Sequence, residues 1–157
     1  EAVCSSLLVE RGLTLATAES CTGGLIARRI TALPGASRVY RGGVVSYWTE
    51  VKAAVLGVPQ DLLDQYGAVS EPTARAMAEG ARRITGADIA VSVTGVAGPD
   101  PDERGNPVGL VFIGLATPDG TFCRRTESGR RTRDRIQDLS ANHALDMVRR
   151  YLTGLEL

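Results

Sequence analysis

The sequence has one histidine, His143, one lysine, Lys52, and an odd number of cysteines among its 157 residues. A protein zinc site needs several imidazole, thiolate or carboxylate ligands at set spacings, and a Ser-His-Asp triad needs an imidazole beside the nucleophile. His143 lies in a helical pattern near the end of the sequence, with no cluster of metal-ligating residues around it. The sequence therefore argues against a metal site and against a histidine-based triad.

Long apolar runs and excess charge are also missing. No run approaches the roughly 20 apolar residues that cross a bilayer, and no signal peptide is evident at the start. The formal net charge is 0, which argues against general nucleic-acid binding. Cys4, Cys21 and Cys123 show no metal-binding spacing, so they are read as reduced thiols of a cytoplasmic protein. The length fits one domain over residues 1–157, and a start at Glu1 leaves open a preceding partner domain.

One short stretch, Thr17-Ala18-Glu19-Ser20-Cys21-Thr22-Gly23-Gly24, combines reactive side chains with glycines. The segment before it favours a strand, and the segment after it favours a helix. Ser20 is therefore predicted to lie where a strand ends and a helix begins, which allows two interpretations. Its hydroxyl is either a helix N-cap or a nucleophile, with the N–H groups of Cys21 or Thr22 placed to bind an oxyanion.

The order of the predicted elements indicates an α/β fold. We expect a three-layer α/β/α sandwich with a mixed, mostly parallel sheet of about five strands. Ligands bind such sheets beyond the carboxyl ends of the strands, where Glu19-Ser20, Ser46-Tyr47 and Thr94-Gly95 fall. Strands are predicted near 13–18, 44–48, 88–94, 108–117 and 121–126, and helices near 1–12, 20–32, 50–56, 59–66, 70–86 and 130–152.

Lys52 is the residue best suited to activate a serine here. All other basic residues except His143 are arginines, which do not lose their proton in proteins, whereas a buried lysine does. Burial near another cation or a helix N-terminus would lower the pKa of Lys52, which falls in the first turn of the predicted helix 50–56. Tyr47 could pass a proton or orient the amine. The plainer interpretations are a solvated lysine and a tyrosine that packs in the sheet.

Two further features suggest chemistry. Cys21 is a rival nucleophile, because thiols at helix N-termini have lowered pKa values, but cysteine is equally a small core residue. Arg131 and Arg135 are four residues apart at the start of the predicted helix 130–152, and would share a face that binds phosphate. A solvated basic helix end explains them as well.

Several ordered blocks resemble the CinA C-terminal domain family, whose characterised activity is nicotinamide-nucleotide amidase. The resemblance extends from about residue 13 to 152. The blocks are Ala18 to Gly24, Tyr47 with Lys52, Gly67-Ala68-Val69-Ser70, Thr94 to Pro99 and Pro107-Val108-Gly109.

The resemblance implies a cytoplasmic bacterial homodimer that uses no metal or cofactor. Its implied reaction is hydrolysis of nicotinamide mononucleotide, a small-molecule substrate, to nicotinate mononucleotide and ammonia. The implied catalytic residues are Ser20, Lys52 and Tyr47. The residues expected to bind the substrate are Glu19, Cys21, Thr22, Ser46, Thr94, Gly95, Gly98, Arg131 and Arg135.

The chain departs from the family pattern at a few positions. Tyr47-Trp48-Thr49 stands where Tyr-Ser-Asn is usual, Pro101-Asp102 replaces a Gly-Gly pair, Asn106 replaces a lysine, and Gly129-Arg130-Arg131 replaces Gly-Asp-Arg. Trp48 is large enough to reshape the pocket. The resemblance also allows an alternative function, a non-catalytic regulatory or protein-interaction domain of a competence/DNA-damage-inducible CinA-type protein. A pocket filled by Trp48 would favour this alternative.

Overall fold

The fold is built on a central five-stranded sheet. Its strands are β1 (Leu15–Glu19), β2 (Tyr40–Val45), β3 (Ile89–Gly95), β4 (Leu110–Thr117) and β5 (Gly120–Glu127). The computed structural model that gives these bounds describes residues 1–157. The strands lie in the order β2-β1-β3-β4-β5, in which β1 pairs in parallel with β2 and β3, and the two other pairs are antiparallel. Only β4 runs against the rest, so the predicted mixed, mostly parallel sheet is confirmed.

Helices cover both faces of this sheet. They are α1 (Ala2–Arg11), α2 (Leu25–Thr31), α3 (Thr49–Ala54), α4 (Gln60–Tyr66), α5 (Glu71–Thr85) and α6 (Arg133–Thr153). One apolar core joins α1, α2 and α6 to the sheet through side chains such as Leu8, Ile26 and Ile136. A smaller core lies under α5 and includes Leu56 and Met77. The predicted three-layer sandwich is therefore confirmed, and none of its helices combines the length and apolar character that a bilayer span requires.

Strand β2 begins earlier than the sequence suggested. The pair Gly42-Gly43 looks like a break before a strand near 44–48, but both glycines lie inside β2. A Cβ atom on Gly43 would come within 2.1 Å of the Thr17 hydroxyl oxygen and 2.5 Å of the Tyr40 hydroxyl oxygen, so only glycine fits there. The predicted bounds 44–48 are therefore wrong, and residues 46–48 follow the strand.

The carboxyl ends of β1, β2 and β3 meet at one edge. Glu19 pairs with Val45 of β2 and with Val93 of β3. The ladder continues one step beyond β1 and β2, because the Ser46 N–H donates to the Glu19 carbonyl at 2.8 Å and the Ser20 N–H to the Val93 carbonyl at 3.0 Å. This register places Ser20 beside the residues that follow β2 and β3.

Candidate functional site

Ser20 lies directly after β1, but it does not cap a helix. Residues 21–24 form a turn, and α2 begins only at Leu25 with Gly24 as its N-cap residue. Gly23 and Gly24 have φ angles of 61° and 98°, which right-handed helix cannot include, and this delays the helix start. The predicted helix start at Ser20 and the N-cap interpretation are therefore wrong, and the hydroxyl is free for another partner.

The role of capping α2 falls to Glu19. Its side chain is fully buried, and its carboxylate accepts hydrogen bonds from the Ile26 N–H at 3.0 Å, the Ala27 N–H at 2.8 Å and the Thr22 hydroxyl at 2.7 Å. A carboxylate at this place satisfies helix N–H groups that have no partner within the helix. Glu19 and Thr22 were expected to bind substrate, but both are engaged in holding the Ser20 turn and lie outside the cavity described below.

Lys52 brings its amine to Ser20 from the neighbouring strand end. The side chain is only 1% exposed, and its Nζ donates to the Ser20 Oγ at 3.0 Å and to the Ser46 carbonyl at 2.5 Å. None of the ion pairs in the structure includes Lys52. Burial without a carboxylate partner lowers the pKa of Lys52 to about 8, so the neutral amine is readily available.

Burial, one part of the expected cause, lowers the pKa of Lys52, whereas the expected position in the first turn of a helix is wrong. Lys52 is the fourth of the six residues of α3, so it does not lie in the first turn of a longer helix. Desolvation is the main cause of its lowered pKa, and the nearby Cys21 acts weakly in the opposite direction. A lysine with this environment can accept a proton from a hydroxyl near neutral pH, as a general base must.

Cys21 has the opposite electrostatic environment. Its thiol is buried, and burial raises its pKa to about 12. A nucleophilic cysteine needs a lowered pKa, because the thiolate is the reactive form. The geometry therefore favours Ser20 over Cys21 as the nucleophile.

A cavity of about 270 Å³ opens beside the Ser20–Lys52 pair. The predicted site residues that line it are Ser20, Cys21, Tyr47, Lys52, Thr94, Gly95 and Gly98. Sequence reasoning missed other lining residues, above all Asp100, Asp102 and Arg133. Trp48 is 72% exposed and does not line the cavity. No group of three or more His, Cys, Asp or Glu side chains is arranged to hold a metal ion.

Arg133, rather than Arg131 or Arg135, reaches this cavity. It is the first residue of α6, and its guanidinium donates to the Gly98 carbonyl at 2.6 Å and to the Tyr47 hydroxyl. Arg131 precedes the helix and bonds the Ser128 carbonyl, so the expected shared helical face with Arg135 is wrong. The residue that could have given the correct start of α6 is Thr132, because threonine favours the N-cap position.

Ser46 contributes its backbone but not its hydroxyl. Its carbonyl binds the Lys52 amine, while its Oγ is fully buried and has no hydrogen-bond partner. It is the only buried side-chain nitrogen or oxygen in the chain without a partner. Ser46 was expected to bind substrate, but it does not line the cavity.

We expect Ser46→Ala to leave the free energy of unfolding unchanged or to raise it by up to about 1 kcal/mol, because it removes a buried hydroxyl that makes no hydrogen bond. The backbone contact with Lys52 is retained. Hydrolysis of nicotinamide mononucleotide, the reaction that the resemblance implies, should therefore stay within about twofold of the parent rate. Urea denaturation and steady-state kinetics would measure both quantities. A loss of more than about 1 kcal/mol, or a tenfold loss of activity, would show that the hydroxyl has a partner.

Comparison with known proteins places this arrangement in a family. The CinA C-terminal domain family matches residues 1–152. The chain belongs to the CinA C-terminal domain family. A competence-damage inducible protein of Caldanaerobacter subterraneus subsp. tengcongensis is 51% identical over 158 residues, which is 100% of this chain and 38% of that protein. A CinA-like protein of Frankia casuarinae is 54% identical over 155 residues, which is 99% of this chain and 35% of that protein.

Solved structures of the CinA superfamily share the fold as well. The crystal structure of the competence damage-inducible protein A of Klebsiella pneumoniae superposes with a TM-score of 0.94 at 33% identity, covering 99% of this chain and 96% of that one. This CinA-type chain thus spans little more than a third of the Caldanaerobacter and Frankia relatives, but nearly the whole of the solved Klebsiella structure.

Proposed function

We propose that this CinA-type domain hydrolyses the carboxamide of nicotinamide mononucleotide to nicotinate mononucleotide and ammonia. The observation that carries the proposal is a buried lysine without a carboxylate partner, whose Nζ lies 3.0 Å from a serine Oγ at the edge of a cavity. A lysine held in this way serves as the base that a serine nucleophile requires.

The proposed reaction proceeds through an acyl-enzyme. Neutral Lys52 takes the Ser20 proton as the Ser20 Oγ attacks the carboxamide carbon, and the carbonyl oxygen becomes an oxyanion. The backbone N–H of Cys21, which donates to no backbone carbonyl, is available to stabilise that oxyanion. Lys52 then protonates the departing nitrogen, and the C–N bond breaks to release ammonia and leave an ester on Ser20.

Water completes the cycle. Lys52, neutral again, takes a proton from a water molecule that attacks the ester carbonyl. The tetrahedral intermediate collapses, and Lys52 returns the proton to the Ser20 Oγ as nicotinate mononucleotide leaves. One amide and one water are thus converted to one acid and one ammonia.

Arg133 is suited to bind the phosphate of the nucleotide. It lines the cavity, and its guanidinium is anchored to the Gly98 carbonyl and the Tyr47 hydroxyl. Guanidinium groups bind phosphate oxygens through charge-assisted hydrogen bonds. In this arrangement Tyr47 orients Arg133, since its hydroxyl bonds Arg133 and makes no hydrogen bond with Lys52.

The alternative of a purely regulatory or protein-interaction domain has less support. A pocket filled by Trp48 would have favoured it, but that side chain is largely exposed and leaves the cavity open. An open cavity beside a buried Ser20–Lys52 pair favours the amidase.

Ammonia release from nicotinamide mononucleotide by the purified chain tests the proposal. Nicotinamide riboside, which lacks the phosphate, and free nicotinamide serve as comparison substrates. The mononucleotide should be hydrolysed with the highest kcat/KM. No ammonia from the mononucleotide, with a folded chain, would contradict the proposal.

Arg133→Met should raise the KM for the mononucleotide by about 10- to 100-fold, since it removes a charge-assisted contact to phosphate. The kcat/KM for nicotinamide riboside should change little, because that substrate offers no phosphate. Arg131→Met is a matched control, as it removes an arginine outside the cavity. Equal losses on both substrates would contradict a phosphate-binding role for Arg133.

A further inference from the structure

The loop of residues 99–107, between β3 and β4, forms one wall of the cavity through Asp100 and Asp102. Asp102 is committed to the loop itself. Its carboxylate accepts hydrogen bonds from the Arg104 N–H at 3.0 Å, the Asn106 N–H at 2.8 Å and the Asn106 amide at 2.7 Å. Asp100, by contrast, takes part in none of the ion pairs of the structure and lines the cavity.

Arg104 projects from this loop onto the end of α4. Its guanidinium donates to the carbonyls of Asp64 at 2.6 Å, Gln65 at 3.1 Å and Leu63 at 3.4 Å. These carbonyls belong to the last turn of α4, where intrahelical donors run out and a positive charge is stabilised by the helix dipole. The loop is therefore bonded to a helix that is distant in sequence.

The backbone at the end of α4 is shaped to receive this side chain. Gly67 follows the helix, and a Cβ atom there would lie 2.7 Å from both the Cδ and the Nε of Arg104. The stem of Arg104 thus occupies the space that a side chain at position 67 would need. The next two residues, Ala68 and Val69, line the cavity.

We propose that Arg104 is a positioning residue that sets the width of the cavity by fastening the wall at Asp100 to the wall at Ala68 and Val69; the inference rests on the proposed amidase function. The wall at Ala68 is also tied to the end of β3, the strand that leads into this loop, because the Thr94 hydroxyl donates to the Ala68 carbonyl at 2.6 Å. Arg104 provides the second tie, on the exposed side of the loop.

This arrangement separates substrate fit from the chemical step. Ser20 and Lys52 are held by β1, α3 and the carbonyl of Ser46, none of which Arg104 contacts. Loss of the Arg104 bonds should therefore loosen the cavity wall and weaken substrate binding, while the reacting atoms keep their places. The expected signature is a change in KM with little change in kcat.

The test compares Arg104→Met, which keeps a long side chain but removes the donors, with Arg104→Lys, which keeps one cationic donor group. Arg131→Met is the matched control, because Arg131 also bonds a backbone carbonyl, that of Ser128, outside the cavity. The readouts are KM and kcat for nicotinamide mononucleotide, and the rate at which a glutamate-specific protease cuts after Glu103. Each cleavage rate is divided by that of a synthetic peptide of residues 97–110 with the same residue at position 104.

For Arg104→Met we expect KM and the normalised cleavage rate to rise about tenfold, with kcat within about twofold of the parent. For Arg104→Lys, the KM and the normalised cleavage rate should lie between those of the parent and those of Arg104→Met. Arg131→Met should have the same KM and cleavage rate as the parent. Unchanged KM and cleavage in Arg104→Met would overturn the proposal, as would a kcat that falls in step with the rise in KM. A parent chain that releases no ammonia would count against the proposed function, and the cleavage rates alone would then decide whether Arg104 holds the loop.

Discussion

Lys52→Met is expected to lower the turnover of nicotinamide mononucleotide by about 10⁴-fold, the upper end of the range for general acid–base catalysis. The same change is expected to make the folded chain more stable at pH 7. Methionine is similar in length, but it carries no charge that burial would penalise. The single substitution thus separates what Lys52 contributes to the reaction from what it costs the fold.

The size of the stability effect follows from the pKa. Burial lowers the pKa of Lys52 from its ordinary 10.5 to about 8, which corresponds to a cost of about 3 kcal/mol for keeping the buried amine protonated. Losing its hydrogen bonds to Ser20 and Ser46 costs about 1 kcal/mol each. Lys52→Met should therefore be about 1 kcal/mol more stable than the parent at pH 7.

The difference between parent and variant should change with pH. Below pH 8 the amine is protonated in both the folded and the unfolded chain, so the parent bears the full cost of burial. Between pH 8 and pH 10.5 the folded state binds fewer protons than the unfolded state, and the stability of the parent rises. Above this window the parent should be the more stable, by about 2 kcal/mol.

Urea denaturation of both proteins across this pH range would measure the crossover. Lys52→Arg is the control, since it keeps a charge that cannot be lost and should be both inactive and less stable than the parent. In the parent, kcat/KM should rise as pH increases through about 8, where Lys52 loses its proton. A parent and a methionine variant with parallel pH profiles of stability would contradict a buried amine that titrates near pH 8.

Ser20→Ala is expected to reduce turnover by about 10⁵-fold or more, because no acyl-enzyme can form without the hydroxyl. Cys21→Ala, one residue further along, should retain activity within about tenfold, since a thiol with a pKa of about 12 supplies almost no thiolate at neutral pH. Both residues line the cavity, so the pair of variants distinguishes the nucleophile from a neighbour.

Ammonia release measures the activity of both variants, and mass spectrometry of the parent during turnover would detect an acyl group on the peptide that contains Ser20. Thermal unfolding would establish that each variant folds. Substantial activity in Ser20→Ala with loss in Cys21→Ala would assign the nucleophile to the thiol and contradict the proposed mechanism.

The central part of the site could be read from the sequence because it depends on strand ends. Glu19-Ser20, Ser46-Tyr47 and Thr94-Gly95 lie at or directly after the carboxyl ends of three short strands, and parallel strands bring such ends to the same edge of a sheet. The alternation of helices and strands likewise predicted the three-layer sandwich. The proximity of Ser20 and Lys52 followed from local signals together with this general rule.

Features that depend on tertiary contacts could not be read in the same way. Position 43 of strand β2 requires glycine because the Thr17 and Tyr40 side chains fill the space that a Cβ atom would need. In the sequence alone, a glycine pair looks like a break between elements. Arg133 reaches the cavity because α6 begins after Thr132, whereas the preceding arginines favour helix and suggest an earlier start. The hydrogen bonds from α2 to the Glu19 carboxylate could be found only once the structure gave the positions of N–H groups seven and eight residues further along the chain.

The order of the cavity-lining elements along the chain has a consequence for how this domain could diversify. Ser20 and Lys52 both lie within the first third of the chain, on the β1-α2-β2-α3 segment, whereas Ala68, Asp100 and Arg133 come from later segments. Substitutions or insertions in the later segments can therefore reshape the rest of the cavity without altering the proposed nucleophile, Ser20, and the proposed base, Lys52. A library confined to residues 68–69, 99–107 and 130–133 is a direct way to seek new amide substrates for the same Ser-Lys pair.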